Sequence, residues 1–152
     1  MQVETIGDVL DWTRAVHGNL ADCMAHCSKG ADQERVRMLL DYLAEHEREL
    51  SRVLELTKQD ASPSALHTWC YEYFERYPVK PHEQCNEDFR NMDTRDIMSA
   101  VLALHEKVTD LYRYLHSRAE VNSTRELLAN LIELEEHEAM RMARDAGRME
   151  DL

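Results

Sequence analysis

Residues 8–24, DVLDWTRAVHGNLADCM, return in outline 88 positions later at residues 96–112 as DIMSAVLALHEKVTDLY, with Asp, Ala, His and Asp at matching places and apolar residues exchanged for apolar ones. A second echo follows, in which Leu40, Leu43, Glu45, His46 and Glu47 match Leu131, Leu134, Glu136, His137 and Glu138 at an offset of 91. The chain therefore reads as one helical hairpin used twice, and the three-residue difference between the two offsets is assigned to the turn. A period this long describes a copied supersecondary unit rather than a solenoid. It also marks His17/His105 and His46/His137 as equivalent pairs.

Apolar spacing assigns the elements. Helices are predicted over about 5–27, 32–57 and 93–118, and from Ser123 to a point near Gly147, so that the hairpins span about 5–57 and 93–146. Thr5 with Asp8, and Ser123 with Glu126, stand at capping-box spacing, and Ser28–Ala31 is expected to form the first turn. In the second helix Leu39, Leu40, Leu43, Leu50 and Leu54 recur at three- and four-residue steps around His46 and Glu47, while the first and third helices carry His17 and His105 at the centres of their apolar stripes. The three prolines, Pro63, Pro78 and Pro81, fall in the segment 58–92 between the hairpins. A helix of about 25 residues is ~37 Å long, so this segment can return along the whole molecule and join the second and third helices in parallel. Ser62 before Pro63 marks a short helix over 63–76, and Trp69, Tyr73 and Phe74 are expected to cover one open side. The fold class that follows is all-α: one domain, 1–152, a four-helix bundle of two hairpins joined by a long crossover.

At 152 residues such a chain buries roughly two-thirds of its unfolded surface and needs no disulfides to hold a core. The net charge of −12 repels nucleic acid and anionic membranes and concentrates cations. The first ten residues lack the basic and apolar regions of a signal peptide, and no stretch approaches the ~20 apolar residues of a membrane span, so a cytoplasmic location is expected. Cys23, Cys27, Cys70 and Cys85 form no CxxC pair and read as reduced thiols.

A histidine in a leucine stripe must find a hydrogen-bond partner, a metal or water, since an unpaired polar group in a core costs about 1–3 kcal/mol. Four histidines, equivalent in pairs and each near mid-helix, converge on the centre if their stripes face inward. With Glu47 and Glu138 beside them, the candidate metal ligands are His17, His46, Glu47, His105, His137 and Glu138, a nitrogen and oxygen set suited to iron, manganese or zinc. A carboxylate among leucines is expensive unless a cation compensates it.

Two hairpins related by duplication and joined by a long crossover resemble the ferritin-like superfamily, and LAEHEREL at 43–50 is similar to the second-helix segment of its rubrerythrin-type members. The resemblance covers residues 6–145. It implies a non-haem di-iron or di-manganese centre with oxidase, peroxidase or iron-handling activity, acting on O₂ or peroxide. It also implies that Glu47 and Glu138 take the glutamate places of the family's ExxH pairs, and that His17 and His105 take those of its single glutamates. Leu50 and Arg141 stand where the ExxH histidines belong, so the ligand set is expected to be richer in histidine than the family pattern. Hemerythrin-like bundles are a second resemblance, through His17 to Asp22 and His105 to Asp110, which implies the two aspartates as reserve ligands or acceptors for the imidazoles. Two other functions fit the same residues: a non-enzymatic bundle that has lost its metal and serves as a binding or stress-associated interaction protein, and a structural zinc site. A homodimer burying one flank is the expected assembly.

Overall fold

In a computed structural model, residues 3–70 and 88–150 are described; Tyr73, Phe74, Cys85 and the end of the expected helix 63–76 lie outside them. The described residues form four long helices, α1 (Ile6–Gly30), α2 (Glu34–Asp60), α4 (Thr94–Arg118) and α5 (Asn122–Glu150), with a short α3 (Pro63–Leu66) and a 3-10 turn at Phe89–Asn91. No strand occurs among them, apart from a single antiparallel bridge between Thr5 and Trp69. No described helix is long and apolar enough to cross a membrane.

Local chemistry sets the ends. The Thr5 hydroxyl accepts from the Asp8 backbone N–H while the Asp8 carboxylate accepts from the Thr5 N–H, a closed capping box that satisfies two orphan donors of α1. Ser62 caps α3 and Pro63 occupies its first turn, where a missing N–H costs nothing. Residues 67–70 lie outside the helix, and Trp69 is 70 % exposed. α1 and α4 each break at an alanine in extended conformation, Ala31 and Ala119. The turns are therefore equal: Ala31–Gln33 and Ala119–Val121 each hold three residues.

Equal turns correct the register of the duplication. Ile6, Gly30 and Glu34 correspond to Thr94, Arg118 and Asn122, all 88 positions apart, so one offset runs through both hairpins and the expected three-residue change in the turn is absent. Burial follows the same offset: Leu39, Leu40, Leu43 and Glu47 are buried, and so are Leu127, Leu128, Leu131 and Glu135. The offset of 91 arose because the sequence repeats the local pattern LxEHE at 43–47 and 134–138, and identity of His-Glu dipeptides is a weaker guide than which face meets the core.

Side-chain contacts fix the directions. Asp11 meets Lys58 and His17 meets Glu47, so α1 and α2 are antiparallel; Thr13 meets Tyr112 across α1 and α4, and Tyr42 meets Asp145 across α2 and α5. These pairings leave α2 and α4 running the same way. Two apolar clusters form the core, one with Val9, Leu10, Val16, Leu50, Leu54, Val108, Leu111, Leu128 and Leu131, the other with Met24, Val36, Leu40, Leu43, Ile97, Val101 and Met142. On every long helix the chain passes from one cluster to the other through a single buried His or Glu. Cys23 is disulfide-bonded, which corrects the expectation of four reduced thiols; pairing depends on which thiols meet after folding, and spacing along the chain does not report it.

The common offset has a direct test. Leu43→Ala and Leu131→Ala should each lower stability by about 2–5 kcal/mol in urea denaturation, as fully buried leucines do, while Leu134→Ala, at a partly buried position, should cost clearly less. Equal losses at Leu43 and Leu134 with little at Leu131 would restore the offset of 91.

Candidate metal centre

Each long helix delivers one residue to the centre: His17 from α1, Glu47 from α2, His105 from α4 and Glu135 from α5, all 0–1 % exposed. They alternate in a closed ring. His17 Nδ1 lies 2.6 Å from Glu47 Oε2 and its Nε2 lies 2.7 Å from Glu135 Oε1. His105 Nε2 lies 2.5 Å from Glu47 Oε1, and its Nδ1 lies 2.9 Å from Glu135 Oε2. The first three contacts are hydrogen bonds. The fourth is within ion-pair distance but lacks the alignment of a hydrogen bond, so His105 Nδ1 and Glu135 Oε2 are both buried without a hydrogen-bond partner. The two imidazoles are 4.9 Å apart between centroids and inclined by 47°.

The ring is electrostatically self-consistent. Burial is the largest influence on each imidazole and by itself lowers its pKa, but the carboxylates together outweigh it, lifting His17 to about 10 and His105 to about 9. Burial likewise works to raise Glu47, yet the two imidazoles bring it down to about 2 and lower Glu135 as well. Without a bound ion the core thus holds two imidazoliums and two carboxylates, with no net charge. Hydroxyls tie the ring to its helices: Thr109 Oγ1 donates to the His105 carbonyl at 2.8 Å, and Tyr112 donates at 2.8 Å to Thr13 Oγ1, which in turn donates to the Leu10 carbonyl.

Of the six sequence-derived candidates, His17, Glu47 and His105 meet in this ring. His46 and Glu138 do not; they face each other at 3.7 Å on the flank between α2 and α5, each partly buried. His137 is 63 % exposed and lies 4.0 Å from Glu133. Residues adjacent on a helix point about 100° apart, so a helix that turns Glu47 or Glu135 inward carries its neighbours to the sides. Asp22 and Asp110 are also exposed, beside Arg48 and Arg113, and do not reach the imidazoles. The sequence reasoning missed Glu135. Its signal was present: carrying the His17 to His105 offset of 88 unchanged into the next helix takes Glu47 to Glu135 and places Leu131 four residues before it, as Leu43 stands before Glu47.

His17, His105 and Glu135 can each present one donor atom such that the three lie within 4.8 Å of one another. Nitrogen and carboxylate donors at that spacing suit one first-row ion, with bonds of about 2.0–2.2 Å. Glu47, on the opposite side of both rings, would then accept N–H bonds from imidazoles whose other nitrogens bind metal, the usual outer carboxylate that fixes tautomer and orientation. Comparison with protein-family models, with curated proteins and with solved structures finds no match to this chain.

Two measurements on chelated, metal-free protein follow from the ring. Glu135→Gln should destabilise it by about 3–5 kcal/mol, because it strips a counter-charge from two buried imidazoliums, whereas Glu138→Gln should change stability by less than about 1 kcal/mol. In the unfolded chain the imidazoles titrate near 6.5, and in the folded chain near 10 and 9. The folded state therefore binds more protons above pH 6.5, so the stability contributed by the histidines is full below that pH and is lost as pH rises through 9 to 10. Glu47 falls from 4.5 to about 2, so its contribution is full above 4.5 and is lost as pH falls toward 2. Urea midpoints measured across pH should form a plateau between 4.5 and 6.5 with a long alkaline decline, and a midpoint that climbs from pH 7 to 9 would contradict the charged ring.

Proposed function

We propose that this chain is a metal-binding four-helix bundle of ferritin-like architecture, holding one divalent first-row transition metal on His17 Nε2, His105 Nδ1 and the Glu135 carboxylate. Glu47 orients both imidazoles from behind. The carrying observation is the donor set: His17, His105 and Glu135 each present one buried donor atom within 4.8 Å of the others, and the His105 Nδ1–Glu135 Oε2 corner is a 2.9 Å ion pair outside hydrogen-bond alignment. The ferritin-like description is supported by the two hairpins of equal offset, by α2 and α4 running in the same direction, and by one central polar residue from each long helix.

Charge counting supports a divalent ion. Two imidazoliums and two carboxylates sum to zero; two neutral imidazoles, two carboxylates and one M²⁺ also sum to zero. The ion thus replaces two protons without changing the net charge of a core that tolerates imbalance poorly. One ion is favoured over the di-metal centre that the family resemblance implies, because His46, His137 and Glu138 lie off the ring. Three protein donors leave coordination positions open, and an iron or manganese ion held there would supply one-electron chemistry toward a small ligand. The residues around it restrict what can arrive: with all four ring residues at 0–1 % exposure between two leucine-rich layers, the ligand would have to be as small as O₂ or peroxide. Zinc in a structural role fits the same donors.

A second function follows from the three hydrogen bonds that the ring makes without an ion. These would suit a non-enzymatic bundle in which the His and Glu residues only specify the packing, and which acts as a binding protein.

Elemental analysis separates the two. Protein purified without chelator or affinity-tag metal should carry about one transition metal per chain, lost in His17→Ala/His105→Ala and kept in His137→Ala. Loading chelated protein with Zn²⁺ or Fe²⁺ at pH 7 should release about two protons per ion, read with an indicator dye, and affinity should weaken as pH falls. Protein that neither retains nor takes up metal, and releases no protons, would leave the non-enzymatic function standing.

A further inference from the structure

A ring with 0–1 % exposure needs a way in. The seam between α2 and α5 carries partly buried polar side chains close in sequence to two ring residues. His46 directly precedes Glu47 on α2, and Glu138 lies one turn after Glu135 on α5, about 4.5 Å along the axis. His46 Nδ1 and Glu138 Oε2 face each other at 3.7 Å, a separation too long for a hydrogen bond, and their side chains are 26 % and 15 % exposed. Outward along the seam the polar lining continues: the Tyr42 ring stacks on His46 at 4.3 Å between centroids, and the Tyr42 hydroxyl donates to Asp145 Oδ2 at 2.7 Å. Glu138 has one further partner, Arg141, whose Nη1 lies 3.3 Å from Oε1 and whose side chain is 53 % exposed.

The duplication supplies an internal control. With the 88-residue offset, the counterparts of His46, Glu138 and Arg141 are Leu134, Leu50 and Val53, and those of Tyr42 and Asp145 are Asn130 and Thr57. The other half of the same seam is thus built without a charge, with Leu50 buried and Leu134 packed on the core. Packing of α2 on α5 does not require imidazole and carboxylate at these positions, yet one side of a nearly symmetric molecule has them and the other does not.

We propose that His46 and Glu138 form an access port through which a divalent cation passes from solvent to the His17, His105 and Glu135 ring, with Arg141 as the counter-ion it displaces. The proposal rests on the metal-binding function above. A carboxylate and an imidazole nitrogen offer an incoming aqua-ion two donors of the kind it meets in the centre, which lowers the cost of shedding water before it enters the apolar interior. Asp145 and the net charge of −12 draw cations toward the seam. The exposed Arg141 pair is weak and readily exchanged. Glu138 and Glu135, three residues apart on one helix, then hand the ion inward by carboxylate exchange.

The experiment is stopped-flow loading of chelated full-length protein with Co²⁺, followed by its visible absorption, with final occupancy measured separately. His46→Gln/Glu138→Gln should load more slowly by about tenfold or more, yet reach the wild-type occupancy, because electrostatic focusing acts on the on-rate. Arg141→Gln should load faster than wild type, a change that a purely structural salt bridge would not produce. Unchanged rates in both variants, with wild type loading normally, would overturn the port and leave the metal centre intact. Reduced final occupancy in the double variant would make these residues ligands and overturn the port in the other direction. Failure of the wild type itself to take up Co²⁺ would overturn the metal-binding function, and the port with it.

Discussion

Two imidazoles and two carboxylates enclosed in a leucine-rich core must compensate one another, because an unmatched charge there would cost several kcal/mol. The register of the four long helices serves this condition. Each long helix contributes one member at mid-length, so all four helices must meet in register at one level, and an error of one residue on any of them would rotate its member out by about 100°. The apolar clusters above and below seal the ring from water and thereby strengthen its electrostatics. Under the proposed function, the same arrangement would let a divalent ion take the place of two protons at constant charge.

Duplication explains how such a centre arises from a single motif. One hairpin supplies a histidine and a glutamate on facing helices; two copies related by a pseudo-two-fold axis supply an alternating set of four. Symmetry stops at the ring. Tyr112 and Thr13 form a buried hydrogen bond on one side, where the counterparts Met24 and Val101 are apolar, and the charged seam of His46, Glu138, Tyr42 and Asp145 faces an uncharged one. A symmetric centre with unequal surroundings is what the proposed port requires, since only one side of the repeat carries the charged seam.

Much of this was legible in the chain. The apolar periods located the long helices to within a few residues, Thr5 with Asp8 announced a capping box that closes, and His17 and His105 were singled out because polar residues at the centre of apolar stripes are costly without a role. The partner carboxylate was half legible. Glu47 stood among leucines on one helical face and was found; Glu135 was passed over for Glu138, because EHE at 136–138 copies EHE at 45–47 and local identity competed with a uniform offset. His46 and His137 were drawn in by the same likeness, although a helix cannot turn adjacent residues to one face.

The sequence by itself determined that the chain is helical, that one hairpin pattern recurs in it, and that His17 and His105 stand at the centres of apolar stripes; it did not separate them from His46 and His137. These properties are encoded in periodicity, and periodicity is local. Only the tertiary structure decided that Glu135 closes the ring, that Glu138 and His46 stand on the seam beside it, and that one corner lacks a hydrogen bond. Those outcomes depend on the rotation of four helices about their axes relative to one another, which is set by the packing of leucine layers that no single helix contains.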